Sequence, residues 1–346
     1  AGRFYLCLFR HIFMKVGGEA VKQTVKEKKA EEIYRILALP LRKLLKACQL
    51  DFSRLQEIRL RIGAPFLVVY DGKEHFIDSR GMLSKDGCCP VTVSREQLRE
   101  TMEYISNYSM YAFEEELRQG YITVQGGHRV GVAGKMIWEK QGAKNMKHIS
   151  FLNIRLAHEV IGCSDKVLPY VMQAGRLCHT LIISPPRCGK TTLLRDLIRQ
   201  LSNGGKGFAG MTVGVVDERS ELGACYLGIP QNDLGCRTDI LDGCPKVQGM
   251  MMLVRSMAPQ VIAVDEVGSR EDVEAMEYVM NCGICLLATV HGNSIDDIKN
   301  KPVLGRLVRE RVFERYIIMT PGLIGKIGSV FDERGSILLS CQEGRG

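Results

Sequence analysis

An α/β fold is predicted for this chain of 346 residues, with a parallel sheet in its second half and a smaller mixed α+β domain ahead of it. Three observations point there. From Leu181 onward, short apolar runs alternate with helical stretches, the pattern of a sheet covered on both faces. The stretch Ser184-Pro185-Pro186-Arg187-Cys188-Gly189-Lys190-Thr191-Thr192 lies between one such run and a helix. Two further apolar runs, Val213 to Val216 and Val261 to Val264, lead directly into the carboxylate pairs Asp217-Glu218 and Asp265-Glu266.

The length suits two domains, and 45% hydrophobic with 25% charged residues suits a globular chain with real cores. No run approaches the roughly 20 apolar residues that cross a bilayer. Phe4 to Phe9 is too short for a signal-peptide core and has no small-residue cleavage site, so a cytoplasmic protein is expected. Thirteen scattered cysteines then read as reduced thiols. Cys282 and Cys285 form a C-x-x-C, but it runs into Leu286-Leu287-Ala288 with no second ligand pair, which reads as core packing. Cys88-Cys89 sits in a polar loop and carries no functional reading. The net charge is +8, of which +4 comes from residues 1–31. The remainder is mildly basic and has no aromatic-and-basic recognition motif, so no direct nucleic-acid partner is expected.

In chain order, residues 1–29 are expected to be a flexible extension, with Met14 a candidate biological start. Residues 30–165 form the α+β domain and 166–346 the second domain. From about Ala30, Ile33, Ile36, Leu37, Leu41, Leu44 and Leu45 recur at helical spacing, with Pro40 breaking or restarting the helix. Glu57 to Gly63 alternates strictly and reads as a strand; Phe66 to Tyr70 reads as another, entering a tight turn at Asp71-Gly72. Residues 95–118 read as helical. Strands follow at 120–124, 129–132 and 151–157, the first two flanking the loop Gln125 to His128. In the second half, Leu181 to Ile183, Val213 to Val216, Val261 to Val264 and Ile284 to Ala288 read as strands. Helices run from the glycine-lysine loop through Leu201 and from Glu271 to Met280.

The loop departs from the phosphate-binding pattern G-x-x-x-x-G-K-[ST] at one position, where Ser184 replaces the first glycine. The amides that cradle phosphates come from its second half and the helix start. Arg187 to Thr192 all carry an N–H there, whereas Pro185 and Pro186 lie ahead of the cradle. Lys190 is placed on the β- and γ-phosphates of ATP, and Thr191 on Mg²⁺. The strand ending in Asp265, adjacent to this loop in the sheet, places that carboxylate beside the metal, and Glu266 becomes a candidate to polarise water. Asp217-Glu218 ends on the same sheet edge, and Thr289 and His291 sit where a fourth strand is expected to deliver polar groups toward the γ-phosphate.

The segments SPPRCGKTTLLRD, VVDERSEL, PQNDLGCRTDILDGCPKVQGMMMLVRSMAPQVIAVDEVG and ATVHG closely resemble the stage III sporulation protein AA family. So do EIRLRIG, SMYAFEEELRQGYITVQGGHRVGVAGK and FLNIRLA; the likeness spans about residues 30–340. That family is similar to the type II and type IV secretion ATPases. The resemblance implies a RecA-like P-loop NTPase domain working as a homo-oligomeric ring, with a hexamer expected. It also implies a mother-cell cytoplasmic location at the forespore membrane and, as partners, membrane proteins of a sporulation channel complex. It matches Glu218 to an acidic box that carries the catalytic glutamate, in competition with Glu266, and His291 to a histidine box. Arg129 and Arg155 become the first-domain arginines that reach a γ-phosphate, while Arg59 and Arg61 read as a solvated strand face. The rival readings are a RecA-like nucleic-acid-binding or translocating ATPase, marked by salt-dependent single-strand binding, and a scaffold that binds ATP without hydrolysing it.

Overall fold

The computed structural model describes residues 27–85, 89–139, 142–320 and 325–341. Most of the expected extension, with Met14 and the Phe4 to Phe9 run, and also Cys88, lie outside the described residues. The chain divides into two compact units, Ala1–His158 and Glu159–Gly346, ahead of the boundary expected at 165/166.

The first unit opens with helix α1, residues 27–36, and α2, Leu39–Ala47. Pro40 restarts the helix: it occupies the first turn of α2, where a missing N–H costs nothing. Seven strands follow: β1 Leu55–Arg61, β2 Leu67–Tyr70, β3 Lys73–Ile77, β4 Leu83–Ser84, β5 Tyr121–Val124, β6 His128–Glu139 and β7 Gly142–Arg155. They form one antiparallel sheet in the order β4-β3-β2-β1-β7-β6-β5. Asp71 and Gly72 both have positive φ, 55° and 74°, and join β2 to β3 in a two-residue turn.

Residues 95–118 are not one helix. Helix α3, Arg95–Ile105, starts at a Ser94–Gln97 capping box and stops where Asn107 and Tyr108 turn left-handed, at φ 46° and 60°. A 3₁₀ turn, Met110–Phe113, and α4, Glu114–Gln119, follow. On the core face of the sheet Ile58, Leu60, Val130, Val132, Leu152 and Ile154 are buried. Strand alternation puts Glu57, Arg59, Arg129 and Arg155 on the other face.

The second unit begins with α5, Leu168–Val171, and a small hairpin of β8, Met172–Gln173, and β9, Arg176–Leu177. Its main sheet comprises β10 Thr180–Ser184, β11 Val213–Asp217, β12 Thr238–Asp242, β13 Val261–Val264, β14 Cys285–His291, β15 Arg315–Met319, β16 Ile327–Asp332 and β17 Ile337–Ser340. The order is β12-β11-β13-β14-β10-β15-β16-β17. Pairing is parallel from β12 through β15 and antiparallel over β16 and β17. The helices are α6 Lys190–Asn203, α7 Lys246–Ser256, α8 Arg270–Asn281, α9 Ile295–Lys299 and α10 Leu304–Arg309.

Alternate residues of the central strands feed two cores. Ile182, Val213, Val215, Ala263 and Leu287 pack with Leu193, Leu194, Leu197 and Leu201 of α6. Leu181, Ile183, Val216, Ile262, Val264 and Leu286 pack with residues of α7, α8 and α10. One expectation needs correction. The strand that ends in Asp265 is not next to the strand that carries the phosphate loop, because β14 lies between them. Residues on β14 therefore stand between the loop and the carboxylates.

The segment entering this unit is tied to α6. Asp196, 3% exposed, accepts N–H groups from Gly162 and Ser164, the Ser164 hydroxyl and the Arg199 guanidinium. Burial would raise its carboxyl, but these donors outweigh burial and hold it at about 2. On the other face, α7 meets β11 through glycines. A Cβ on Gly249 would sit 2.5 Å from Val216 Cγ1, and one on Gly214 would sit 2.9 Å from Leu253 Cδ1. That approach explains a glycine inside a helix, where it otherwise weakens the element. Gly249→Ala is expected to destabilise the protein by ~1–3 kcal/mol, read from the urea midpoint. An unchanged midpoint contradicts the close packing.

Candidate functional site

The parallel strands end on one edge, and the loops beyond that edge carry the charged residues. β10 runs into the loop at Ser184, where the register pairs Ser184 with His291. Ser184 is fully buried and its hydroxyl donates to the Pro185 carbonyl at 2.8 Å. The left-handed residues of this loop are Arg187, φ 61°, and Gly189, φ 89°, and Ser184 is not among them. A serine at the first position of the pattern therefore carries no backbone strain. Cys188 is buried in the core, and its carbonyl accepts from Gly325 N–H at 2.8 Å, which ties the loop to the segment before β16. Pro185 and Pro186 precede the left-handed turn.

Helix α6 starts directly from Gly189 with no side-chain cap. Its first-turn amides, at Lys190, Thr191 and Thr192, lie at the positive end of a 14-residue helix. Lys190 is only 7% exposed. Its Nζ lies 3.0 Å from Asp265 Oδ1 and 3.0 Å from Glu266 Oε1. The Thr191 hydroxyl donates to Asp265 Oδ2 at 2.8 Å. Asp265 Oδ1 also accepts from the Thr289 hydroxyl of β14.

Glu266 lies at the centre of this cluster. Besides Lys190, it meets His291 Nε2 at 2.8 Å and the Arg219 guanidinium at 2.5 Å. Burial alone would raise its carboxyl. The Lys190 ammonium, His291 and Arg219 outweigh burial and hold it at about 2, down from 4.5. Glu266 is left-handed at φ 54°, a conformation that costs a non-glycine residue roughly 1–2 kcal/mol. β14 holds it there: Glu266 N–H donates to Thr289 Oγ1 at 3.0 Å and Val267 N–H to the Thr289 carbonyl at 2.9 Å.

The loop after β11 is shaped by Asp217, 2% exposed, whose carboxylate accepts the N–H groups of Glu221, Leu222 and Gly223 at 2.8–2.9 Å. Burial pushes this carboxyl up to about 6 against those donors. The fixed turn sends Arg219 to Glu266, while Glu218 pairs with Lys246 at the start of α7. Sequence reasoning missed Arg219. The signal available was its position beside Glu218, at the edge where the other charged residues end.

Of the residues singled out from sequence, Lys190, Thr191, Asp265, Glu266 and His291 thus form one hydrogen-bonded cluster. Glu218 sits on the same edge with a different partner. Arg129 and Arg155 belong to the first unit, directly opposite each other on β6 and β7. The Arg129 guanidinium stacks 3.5 Å from the centre of the Tyr121 ring, and Arg155 lies 3.4 Å from Glu57. Arg59 pairs with Glu57 and Glu74 at 2.8 Å.

The donor set fits a magnesium–polyphosphate. Lys190 and the uncapped amides suit phosphate oxygens, and Thr191 Oγ1 with Asp265 Oδ2 offers hard oxygen ligands. Among the described residues no group of three or more His, Cys, Asp or Glu forms a metal cage. Mg²⁺ held through one or two protein oxygens plus phosphates needs none. Among the described residues no helix is long and apolar enough to cross a membrane.

Comparisons with known proteins give a family and a fold likeness. The profile of the family described as Sporulation stage III, protein AA matches residues 27–338. The stage III sporulation protein AA of Bacillus subtilis (strain 168) is 40% identical over 289 residues, which is 83% of this chain and 90% of that protein. Among solved structures, the Legionella pneumophila ATPase DotB superposes with a TM-score of 0.53 at 13% identity, covering 85% of this chain and 80% of its own. The pilus retraction motor PilT, solved with bound ADP, gives 0.51 at 18%, covering 79% and 76%. At these identities the likeness to the two structures is one of fold.

The clamp on Glu266 predicts a pH signature. Its folded value is depressed, so the stability it contributes is fully present above 4.5 and is lost as pH falls toward about 2. Urea unfolding across that window should show wild type losing more stability on acidification than Glu266→Gln. Parallel losses in the two proteins contradict the clamp.

Proposed function

The chain belongs to the stage III sporulation protein AA family, and on that premise we propose that it is a Mg²⁺-dependent ATPase, the motor of a secretion-like membrane complex in sporulation. The observation that carries this reading is the convergence of Lys190, Thr191, Asp265 and Glu266 at the uncapped start of α6. The fold likeness to DotB and PilT supports a RecA-like domain, and the family resemblance suggests a ring, with a hexamer as the expected assembly. The cytoplasmic mother-cell side of the forespore membrane and the membrane proteins of the channel complex are the location and partners the family suggests. No direct nucleic-acid contact is expected.

Thr191 and Asp265 are the residues to hold Mg²⁺, which when bound neutralises charge on the β- and γ-phosphates. Lys190 exchanges its two carboxylate partners for phosphate oxygens, and the amides from Arg187 to Thr192 close around the chain of phosphates. That exchange changes Glu266. Lys190 is the strongest of the groups holding its carboxyl at about 2, so losing the ammonium returns Glu266 toward the ordinary carboxylate range. Nucleotide binding thereby makes Glu266 a better hydrogen-bond acceptor for the attacking water, with His291 and Arg219 orienting it. The resemblance favours Glu218 for this role, and the geometry favours Glu266. An arginine from the first unit of the same or a neighbouring copy, Arg129 or Arg155, completes charge stabilisation. Such arginines contribute about 10³–10⁵-fold in other NTPases.

Lys190→Ala is expected to abolish turnover, and undiminished ATPase activity in that variant contradicts the site. Loss of a general base costs about 10²–10⁴-fold. Glu266→Gln should lower kcat by that amount while Glu218→Gln stays within a few-fold of wild type; the reverse pattern assigns the role to Glu218.

A further inference from the structure

We infer that Thr289 is a positioning residue of the nucleotide site, whose hydroxyl fixes the Asp265 carboxylate and the Glu266 backbone in one register and thereby sets metal affinity. The inference rests on the Mg²⁺–ATP reading above and adds a residue to it.

Thr289 lies on β14, the strand between the one carrying the phosphate loop and the one carrying the carboxylates, and it is completely buried. No solvent reaches it to replace a lost hydrogen bond. A hydroxyl has one proton to give. Glu266 N–H can only donate, so at 3.0 Å Thr289 Oγ1 must accept there. The proton of that hydroxyl is then directed to Asp265 Oδ1, the other oxygen within reach. The chain Glu266 N–H to Thr289 Oγ1–H to Asp265 Oδ1 has a single polarity, and it links the backbone of one carboxylate residue to the side chain of the other.

The two oxygens of Asp265 are thereby made unequal. Oδ1 takes Thr289, Lys190 and the Glu266 N–H at 3.1 Å. Oδ2 takes only the Thr191 hydroxyl among these partners. When Lys190 moves to phosphate, Thr289 and the Glu266 amide still hold Oδ1, so the carboxylate cannot rotate and Oδ2 stays on the Thr191 side. Thr289 touches neither metal nor phosphate in this scheme. It acts through Asp265 and, by securing the left-handed turn at Glu266, through the carboxylate proposed above to orient water.

The test separates this role from a merely structural one. Thr289→Val keeps the β-branched shape and the backbone carbonyl bond to Val267 while removing the hydroxyl; Thr289→Ala removes it without the branch; Thr289→Ser retains it. Metal binding is read by electron paramagnetic resonance of Mn²⁺ titrated into the full chain with a non-hydrolysable ATP analogue, alongside analogue binding in EDTA. The hydroxyl-less variants should bind Mn²⁺ about 10–100-fold more weakly, the range seen when a partner of a metal ligand is removed. Their analogue binding in EDTA should stay within about twofold of wild type, and Thr289→Ser should recover most of the metal affinity. Wild-type Mn²⁺ affinity in whichever of Val or Ala folds overturns the inference while leaving the site reading intact. So does equal weakening in Ser and Val. A wild-type chain whose analogue binding ignores both Mn²⁺ and Lys190→Ala overturns the reading and the inference together.

Discussion

A lysine ammonium, 7% exposed and held between two carboxylates, is the constraint from which the second unit can be understood. A buried cation without a partner is strongly destabilising, so Lys190 obliges the start of α6 and the end of β13 to meet within hydrogen-bond distance. They meet across β14, because the parallel register brings the ends of β10, β14 and β13 to one edge. The two cores on either face of the sheet hold that register, and the buried Asp196 network ties the incoming segment to the same helix.

The cluster is balanced in charge but not in geometry. Lys190, Arg219 and His291 surround Glu266, which pays for its place with a left-handed backbone. Asp265 has one oxygen crowded with donors and the other shared with Thr191 alone among the site residues. Such an arrangement is poised for a polyanion, since a phosphate can take Lys190 and the helix amides without disturbing the bonds made by Thr289. Lys190 is also the cation that most lowers the Glu266 carboxyl, which couples the proposed phosphate binding to the residue proposed to orient water.

Much of this was readable in the sequence, for identifiable reasons. Strands such as Val261 to Val264 are short, wholly apolar and followed at once by acids, which marks both burial and edge. The glycine-lysine-threonine loop and Asp71-Gly72 are local signals that tertiary context did not override. What was hidden depends on order in space. Nothing local announces that β14 inserts between β10 and β13, so Thr289 reads from sequence as a polar group aimed at the γ-phosphate and not as a link to Asp265. Helix α7 was obscured by Gly249, which packs against Val216 and carries no helical signal. The break after Ile105 turns on two left-handed residues, one of them a tyrosine, that periodicity does not register. Arg219 was passed over because its neighbour Glu218 fitted an expected role, whereas the turn around Asp217 presents the arginine to Glu266.

The central claim is that Lys190 exchanges carboxylates for phosphates. The most direct measurement is a structure of the full chain with Mg²⁺ and a non-hydrolysable ATP analogue. The account predicts phosphates on the amides of residues 187–192, Lys190 Nζ on phosphate oxygen and away from Glu266, and the metal between Thr191 and Asp265. An analogue bound elsewhere, or phosphates in that loop with Lys190 still joined to both Asp265 and Glu266, would contradict it.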